Sequence, residues 1–330
     1  MTNPIAPSPL YFGLLRLTAP LAASVLAVAL AGAPAPAAEA PSPAAACAAF
    51  RDAVRDSKAP MAPLLERPDV ARQAVIGCRR HDGAPEDAAA LGFALIAAGE
   101  AGGVPLVRAA AEAGVGEAQY WLALWSKDGL ALDGRAVLAP NTVDRMRLLR
   151  AAAERGHPLA QAALGAAFLV GEEIAQDVEQ ALYWHRKAAA QDVPHALLAL
   201  GMMHRNGAAG LAPDREKSMD LIRRAADLGD ATAQWLLALW TTSGSPHTGQ
   251  TIPEALDALE RLSKAGDMRA VATLGGLYWY GHDVPQDRAY AREIFCRGGK
   301  EGGVAFEALG AGPLTCPDPI APALKKGDEL

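Results

Sequence analysis

The chain has 330 residues, a formal charge of −6, and 51% hydrophobic against only 5% aromatic residues. Its apolar side chains are mainly Ala and Leu, which lose little on entering a helix. Period-two runs of Val, Ile and Thr are scarce, so an all-α chain is expected and a sheet is not. The basic residues are scattered, which excludes the basic stripe of a nucleic-acid binder.

The first 38 residues stand apart. Arg16 precedes a run, 17–31, that is apolar except for Thr18, Pro20 and Ser24, and Ala35-Pro36-Ala37 then fits a small-x-small cleavage site. This is a secretory signal-peptide pattern, with cleavage near Ala37-Ala38 and an apolar run shorter than the ~20 residues of a membrane span. It makes the mature chain periplasmic or secreted, touching membrane only through the signal sequence if that is left uncleaved. Residues 39–85 read as an N-terminal cap segment, 86–302 as a repeat array, and 303–330 as a C-terminal cap and tail ending "KKGDEL".

Four cysteines follow the leader: Cys47, Cys78, Cys296 and Cys316. An even count in an exported chain suggests disulfides. Three pairings are possible. The cysteines lie as one pair near each end, which favours Cys47–Cys78 and Cys296–Cys316, each clamping a terminus that would otherwise fray. No CxxC or matched His spacing points to a metal.

Between these ends the chain repeats. Ala160, Leu164, Gly165 and Gly171 have the form A-x3-L-G-x5-G, which recurs at Ala196, Leu200, Gly201, Gly207 and at Ala270, Leu274, Gly275, Gly281. With Ala for the middle Gly it recurs at Ala118, Leu122, Ala123, Gly129 and at Ala233, Leu237, Ala238, Gly244. The leading alanines are 42, 36, 37 and 37 residues apart. A broken copy follows at Ala305, Leu309, Gly310, and a weak one precedes at Leu91-Gly92. Eleven residues before the small pair that ends the second helix stands a strong N-cap, Asn141, Asp177, Asp214 or Asp287, and in the fourth unit Thr251 takes that place. Each of five units is thus a helix A (116–127, 158–170, 194–205, 231–241, 268–280), a loop after Gly, and a capped helix B (142–155, 178–191, 215–228, 252–265, 288–298). One such pair cannot bury its apolar face alone, whereas stacked pairs bury a continuous core. Gly inside a helix costs about 1 kcal/mol relative to Ala, so its recurrence implies close helix approach, with Trp184 filling the space beside Ala188.

These residues resemble the Sel1-like repeat family, relatives of the tetratricopeptide repeats. Unit two supplies Ala160, Leu164-Gly165, Phe168, Gly171, Ile174, Asp177, Ala181, Trp184 and Ala188-Ala189. Unit five supplies Ala270, Leu274-Gly275, Tyr278, Gly281, Val284, Asp287, Ala291 and Gly298. Units one and four depart, with Ser126 and Thr241 in the aromatic slot. The resemblance implies a right-handed α/α solenoid of about five hairpins with disulfide-clamped ends, acting as an adaptor or scaffold. Exported bacterial members include regulators that bind sensor proteins and components of envelope or exopolysaccharide machinery. A cysteine-rich branch is linked to penicillin binding and β-lactamase activity. It carries a Cys pair in most repeats, and units one to four here have none. A cell-wall enzyme, a β-lactam-binding protein and a ligand-sensing regulator are therefore alternatives to the scaffold.

No catalytic constellation emerges. The seven His show no HExxH, no G-x-S-x-G occurs, and no glycine-rich loop follows a strand, so no enzyme, metal or cofactor is expected. A protein-binding surface is the sharper expectation. Helix A lines the concave face of such solenoids, and offsets two and nine from the leading Ala share a face. They carry Tyr120, Leu198 and Trp235, and Lys127, Arg205 and Trp279, anchors suited to an extended or helical peptide. Trp121, Trp125 and Trp240 align with core positions. The loop of unit one (126–144) is about six residues longer than its counterparts, and unit four's loop (241–254) is also atypical. Long loops on a rigid scaffold often serve recognition.

Overall fold

The computed structural model describes residues 42–55, 62–78, 84–245 and 247–316. The expected leader, its cleavage site, His81 and the final tail lie outside these residues. The expected helices form with nearly the expected bounds. Helices A are α6 (Gly116–Asp128), α8 (Pro158–Val170), α10 (Pro194–Asn206), α12 (Ala231–Thr242) and α14 (Met268–Tyr280). Helices B are α7 (Thr142–Glu154), α9 (Val178–Ala189), α11 (Arg215–Asp227), α13 (Ile252–Lys264) and α15 (Arg288–Arg297). Each packs on its neighbours in chain order, which makes an α/α solenoid. Among the described residues no helix is long and apolar enough to cross a membrane.

Each B helix is capped by its expected residue. The side chains of Asn141, Asp177, Asp214 and Asp287 accept from the backbone three residues on, and Thr251 with Glu254 closes a capping box. The same residues anchor the A–B loop. The amides of Asn141, Asp177, Asp214 and Asp287 donate to the carbonyls of Ser126, Phe168, His204 and Tyr278. The aromatic slot thus works partly through its backbone, and unit one retains this bond with a serine there. Gly171 and Gly281 end their helices in the left-handed region, where a Cβ would also strike Gln176 or Gln286.

The interior glycines mark close approach. A Cβ on Gly165 would lie 3.0 Å from the His185 ring, on Gly201 2.8 Å from Ile222, and on Gly275 2.5 Å from Phe295. These partners stand eight residues after the B-helix cap. At that register units one and four carry Leu149 and Leu259, and all five partners are fully buried. Glycine therefore faces His, Ile or Phe, and the alanine units face leucine. Trp184, read above as filling the space beside Ala188, is not the partner of Gly165. It lies one residue earlier, so it points to the core shared with the preceding unit. A second joint was not foreseen. Gln119, Gln161 and Gln234, each one residue after a leading Ala, donate to the carbonyls of Ala111, Ala153 and Ala226 near the end of the preceding B helix.

The ends differ from the expected pattern. An additional hairpin, α4 (Pro85–Ala97) and α5 (Gly103–Glu112), precedes α6. Its Gly92 behaves like the later glycines, since a Cβ there would lie 2.8 Å from Val107. The motif is hidden there because buried Asp87 replaces the leading Ala and pairs with Arg51 at 2.8 Å. Arg51 belongs to α1 (Pro43–Arg55), which precedes the short α2 (Ala62–Leu65) and α3 (Pro68–Cys78). The copy at Ala305, Leu309 and Gly310 is not a repeat, since α16 (Gly299–Glu307) ends before Leu309 and instead places Phe306 against Phe295 and Trp279. Disulfides join Cys47 to Cys78 and Cys296 to Cys316. In the long loop of unit one, β1 (Leu130–Leu132) and β2 (Arg135–Leu138) form a small antiparallel ladder. Asp133 and Gly134, both at positive φ, make its turn.

Candidate interaction surface

Helices A and B present different chemistry to solvent. The B helices expose charge: Arg147 and Arg150 on α7, Glu179 and Lys187 on α9, Glu216 and Asp220 on α11, Asp257 and Arg261 on α13. Helices α8, α10, α12 and α14 contain no Asp or Glu, and their charged residues are Arg205 and Arg269. Their solvent side is formed by the positions at −1, +3, +6 and +10 from each leading Ala, which share one helical face. In α8 these are Leu159, Ala163, Ala166 and Val170, and in α10 His195, Ala199, Met202 and Asn206. In α12 they are Thr232, Leu236, Leu239 and Ser243, and in α14 Arg269, Thr273, Gly276 and Tyr280. All sixteen are half or fully exposed. Leu159, Val170 and Tyr280 are 39%, 59% and 53% exposed, high values for large apolar side chains.

The anchors expected at offsets two and nine fall on the edge facing the following repeat. Leu198 is buried in the core. Half-buried Trp235 donates from Nε1 to Thr273 Oγ1 at 3.0 Å and lies under Arg269. Trp279 packs edge-on against Phe306 and under Arg288. Tyr120 stacks on His157. Arg205 lies 4.3 Å over the ring of Trp240, and Lys127 is exposed. Neighbouring A helices converge at this edge, so its large side chains are largely spent on inter-repeat packing, and the open stripe lies further round the helix. Of the three Trp read as core, Trp121 and Trp240 are buried and Trp125 is half-buried.

At the first joint the packing is polar. Buried Glu117 accepts from Trp121 Nε1 at 2.7 Å and lies 2.8 Å from His157 Nε2. His157 Nδ1 accepts from the Ala160 amide, capping α8, so the proton sits on Nε2 and is given to Glu117. Both ring nitrogens are committed to structure. Burial, and then the Glu117 charge, push the Tyr120 phenol up to about 12. Arg145 pairs with Glu173 across the same joint.

His185 has no such partners. It is fully buried against Gly165, with neither ring nitrogen hydrogen-bonded. Burial, and to a smaller extent His195, pull its pKa from 6.5 down to about 4. The ring is neutral in the fold, and below about pH 6.5 the unfolded chain takes up a proton that the folded chain refuses until about pH 4. Stability should therefore be full above pH 6.5 and fall as pH drops, by roughly 2.5 kcal/mol at pH 4.5. Denaturant titrations of the wild type and His185→Leu at both pH values check this. Equal pH dependence in the two would remove His185 as the source.

Stacked A/B hairpins with capped B helices and close-packed small residues define an α/α helical-repeat protein. More particularly, residues 158–193, 194–230 and 269–303 match the Sel1 repeat, so the chain carries three Sel1 repeats. The matched segments correspond to units two, three and five. An uncharacterised protein of Neisseria meningitidis serogroup B is 28% identical over 40% of this chain. This chain spans about a third (35%) of that relative's length. Among solved structures, a Sel1 repeat protein from Oxalobacter formigenes superposes with a TM-score of 0.57 at 24% identity, over 81% of this chain and 86% of that one. A protective antigen of uropathogenic Escherichia coli with the same repeat fold gives 0.55 at 20% identity, over 82% and 56%. At these identities the two structures speak for the fold alone.

Proposed function

We propose that this protein is an exported scaffold or adaptor that holds a protein partner on the solvent side of its A helices. The observation that carries this reading is the contrast between the two helix rows, with charge on every B helix and a half- to fully exposed, acid-free, largely apolar row across α8 to α14. Exposed apolar patches of this continuity mark interaction sites. The work is binding rather than turnover, and the partner is an envelope or sensor protein. Residues 1–38 act as the cleaved leader, 39–85 and 303–330 flank the array, and the long loop of unit one adds a recognition edge. Two disulfides and no free cysteine among the described residues suit an oxidising compartment outside the cytoplasm.

The test is quantitative affinity capture from envelope extracts. Leu159→Asp combined with Tyr280→Ser should reduce recovery of the captured protein about tenfold, since central contacts of this kind carry 1–2 kcal/mol or more. Helicity should not change. Arg150→Glu on the charged row should leave capture unchanged. Equal recovery by the A-row and B-row variants would move the site off the A helices.

A further inference from the structure

Arg205 stands beside this stripe, on the edge next to Asn206, and its charge is not answered by packing. Its guanidinium is stacked 4.3 Å from the ring centre of Trp240 on the next repeat, and Trp240 itself is buried. No carboxylate lies within ion-pair distance of Arg205 among the described residues. Arg269, the other charge on these helices, is by contrast satisfied by Asp267 at 2.6 Å and by Thr232. A guanidinium held over an indole leaves N–H groups for a further partner and loses little further freedom when it binds. Those groups match a carboxylate in two-point geometry.

From these observations we infer that the A-helix stripe takes an apolar polypeptide segment bearing an Asp or Glu side chain, whose carboxylate docks on the edge of Arg205. The inference rests on the binding reading above and specifies the partner's chemistry. Charge complementarity supports it. The only unpaired cation on these four helices borders their acid-free row, which carries exposed Val170 and half-buried Met202 and Leu239. An acidic residue on the partner meets no like charge there. A basic one would face Arg205 unscreened.

Random 16-residue peptides displayed at a phage coat-protein N-terminus, and so without a free C-terminus, supply the probe. The bait is the chain from residue 39 onward with its disulfides intact. Selected peptides should combine apolar residues with at least one Asp or Glu. In fluorescence anisotropy, changing that acid to its amide should weaken binding at least tenfold, and Arg205→Ala should do the same. The two losses should not multiply when combined, because they remove one interaction. Arg205→Lys should recover only part of the affinity, since lysine lacks the planar fork. Losses that multiply, peptides that need no acid, or a library that yields no binder would each overturn the proposal. Acid-independent peptides still lost on Leu159→Asp/Tyr280→Ser would sink the carboxylate assignment and leave the A-row site standing. Envelope capture insensitive to that same pair would sink the site itself.

Discussion

Phe295→Ala is expected to lower stability by about 3–5 kcal/mol, as for other fully buried aromatic side chains cut back to a methyl group. The ring closes over Gly275, touches Phe306 edge-on, and is inaccessible to solvent. The converse change, Gly275→Ala, gains about 1 kcal/mol of helix propensity. It also sets a Cβ 2.5 Å from the ring, and overpacking of this kind costs about 1–3 kcal/mol. Because units one and four pair Ala with Leu at this contact, Gly275→Ala with Phe295→Leu should be far less damaging than the two single changes summed. Urea unfolding of the three variants measures this coupling. Additive losses would show that the two positions do not share one contact.

Removing the Cys47–Cys78 bridge should cost about 3–4 kcal/mol, the chain-entropy value for a loop closed across 31 residues. In a repeat protein each unit contacts mainly its neighbours, so the loss should be local. Cys47→Ser/Cys78→Ser should raise hydrogen exchange in α1 and α3. It should also reach α4, to which α1 is tied by the buried Arg51–Asp87 pair, and leave α10 to α13 protected as before. Exchange rising evenly along the chain would mean that the array unfolds as a single unit.

The helical period, the caps and the small-residue positions were legible because each is local. An N-cap acts within one turn, and a glycine that admits a neighbour recurs wherever the neighbour recurs. The Asp-Gly turn of the β1/β2 hairpin was equally local, in "LALDGRAVL", and the scarcity of β-branched residues elsewhere masked it. Gly92 reads only as a weak copy because its alanine is an aspartate whose partner, Arg51, lies 36 residues earlier. Where the offset-two and offset-nine side chains pack is hidden for a similar reason. Periodicity puts Tyr120, Leu198, Trp235 and Trp279 on one face, but not which neighbour that face meets.

By itself, then, the order of residues determined the hairpin, its length, its caps and the points of close approach, since hydrogen bonds within a turn and the absence of a Cβ need no distant partner. Tertiary structure alone decided which exposed row remains open, that His185 is sealed without a hydrogen bond, and that Arg205 lies on Trp240 without a carboxylate. Those outcomes depend on the angle and spacing at which one repeat meets the next, and that geometry is set by side chains some 35 residues apart acting together.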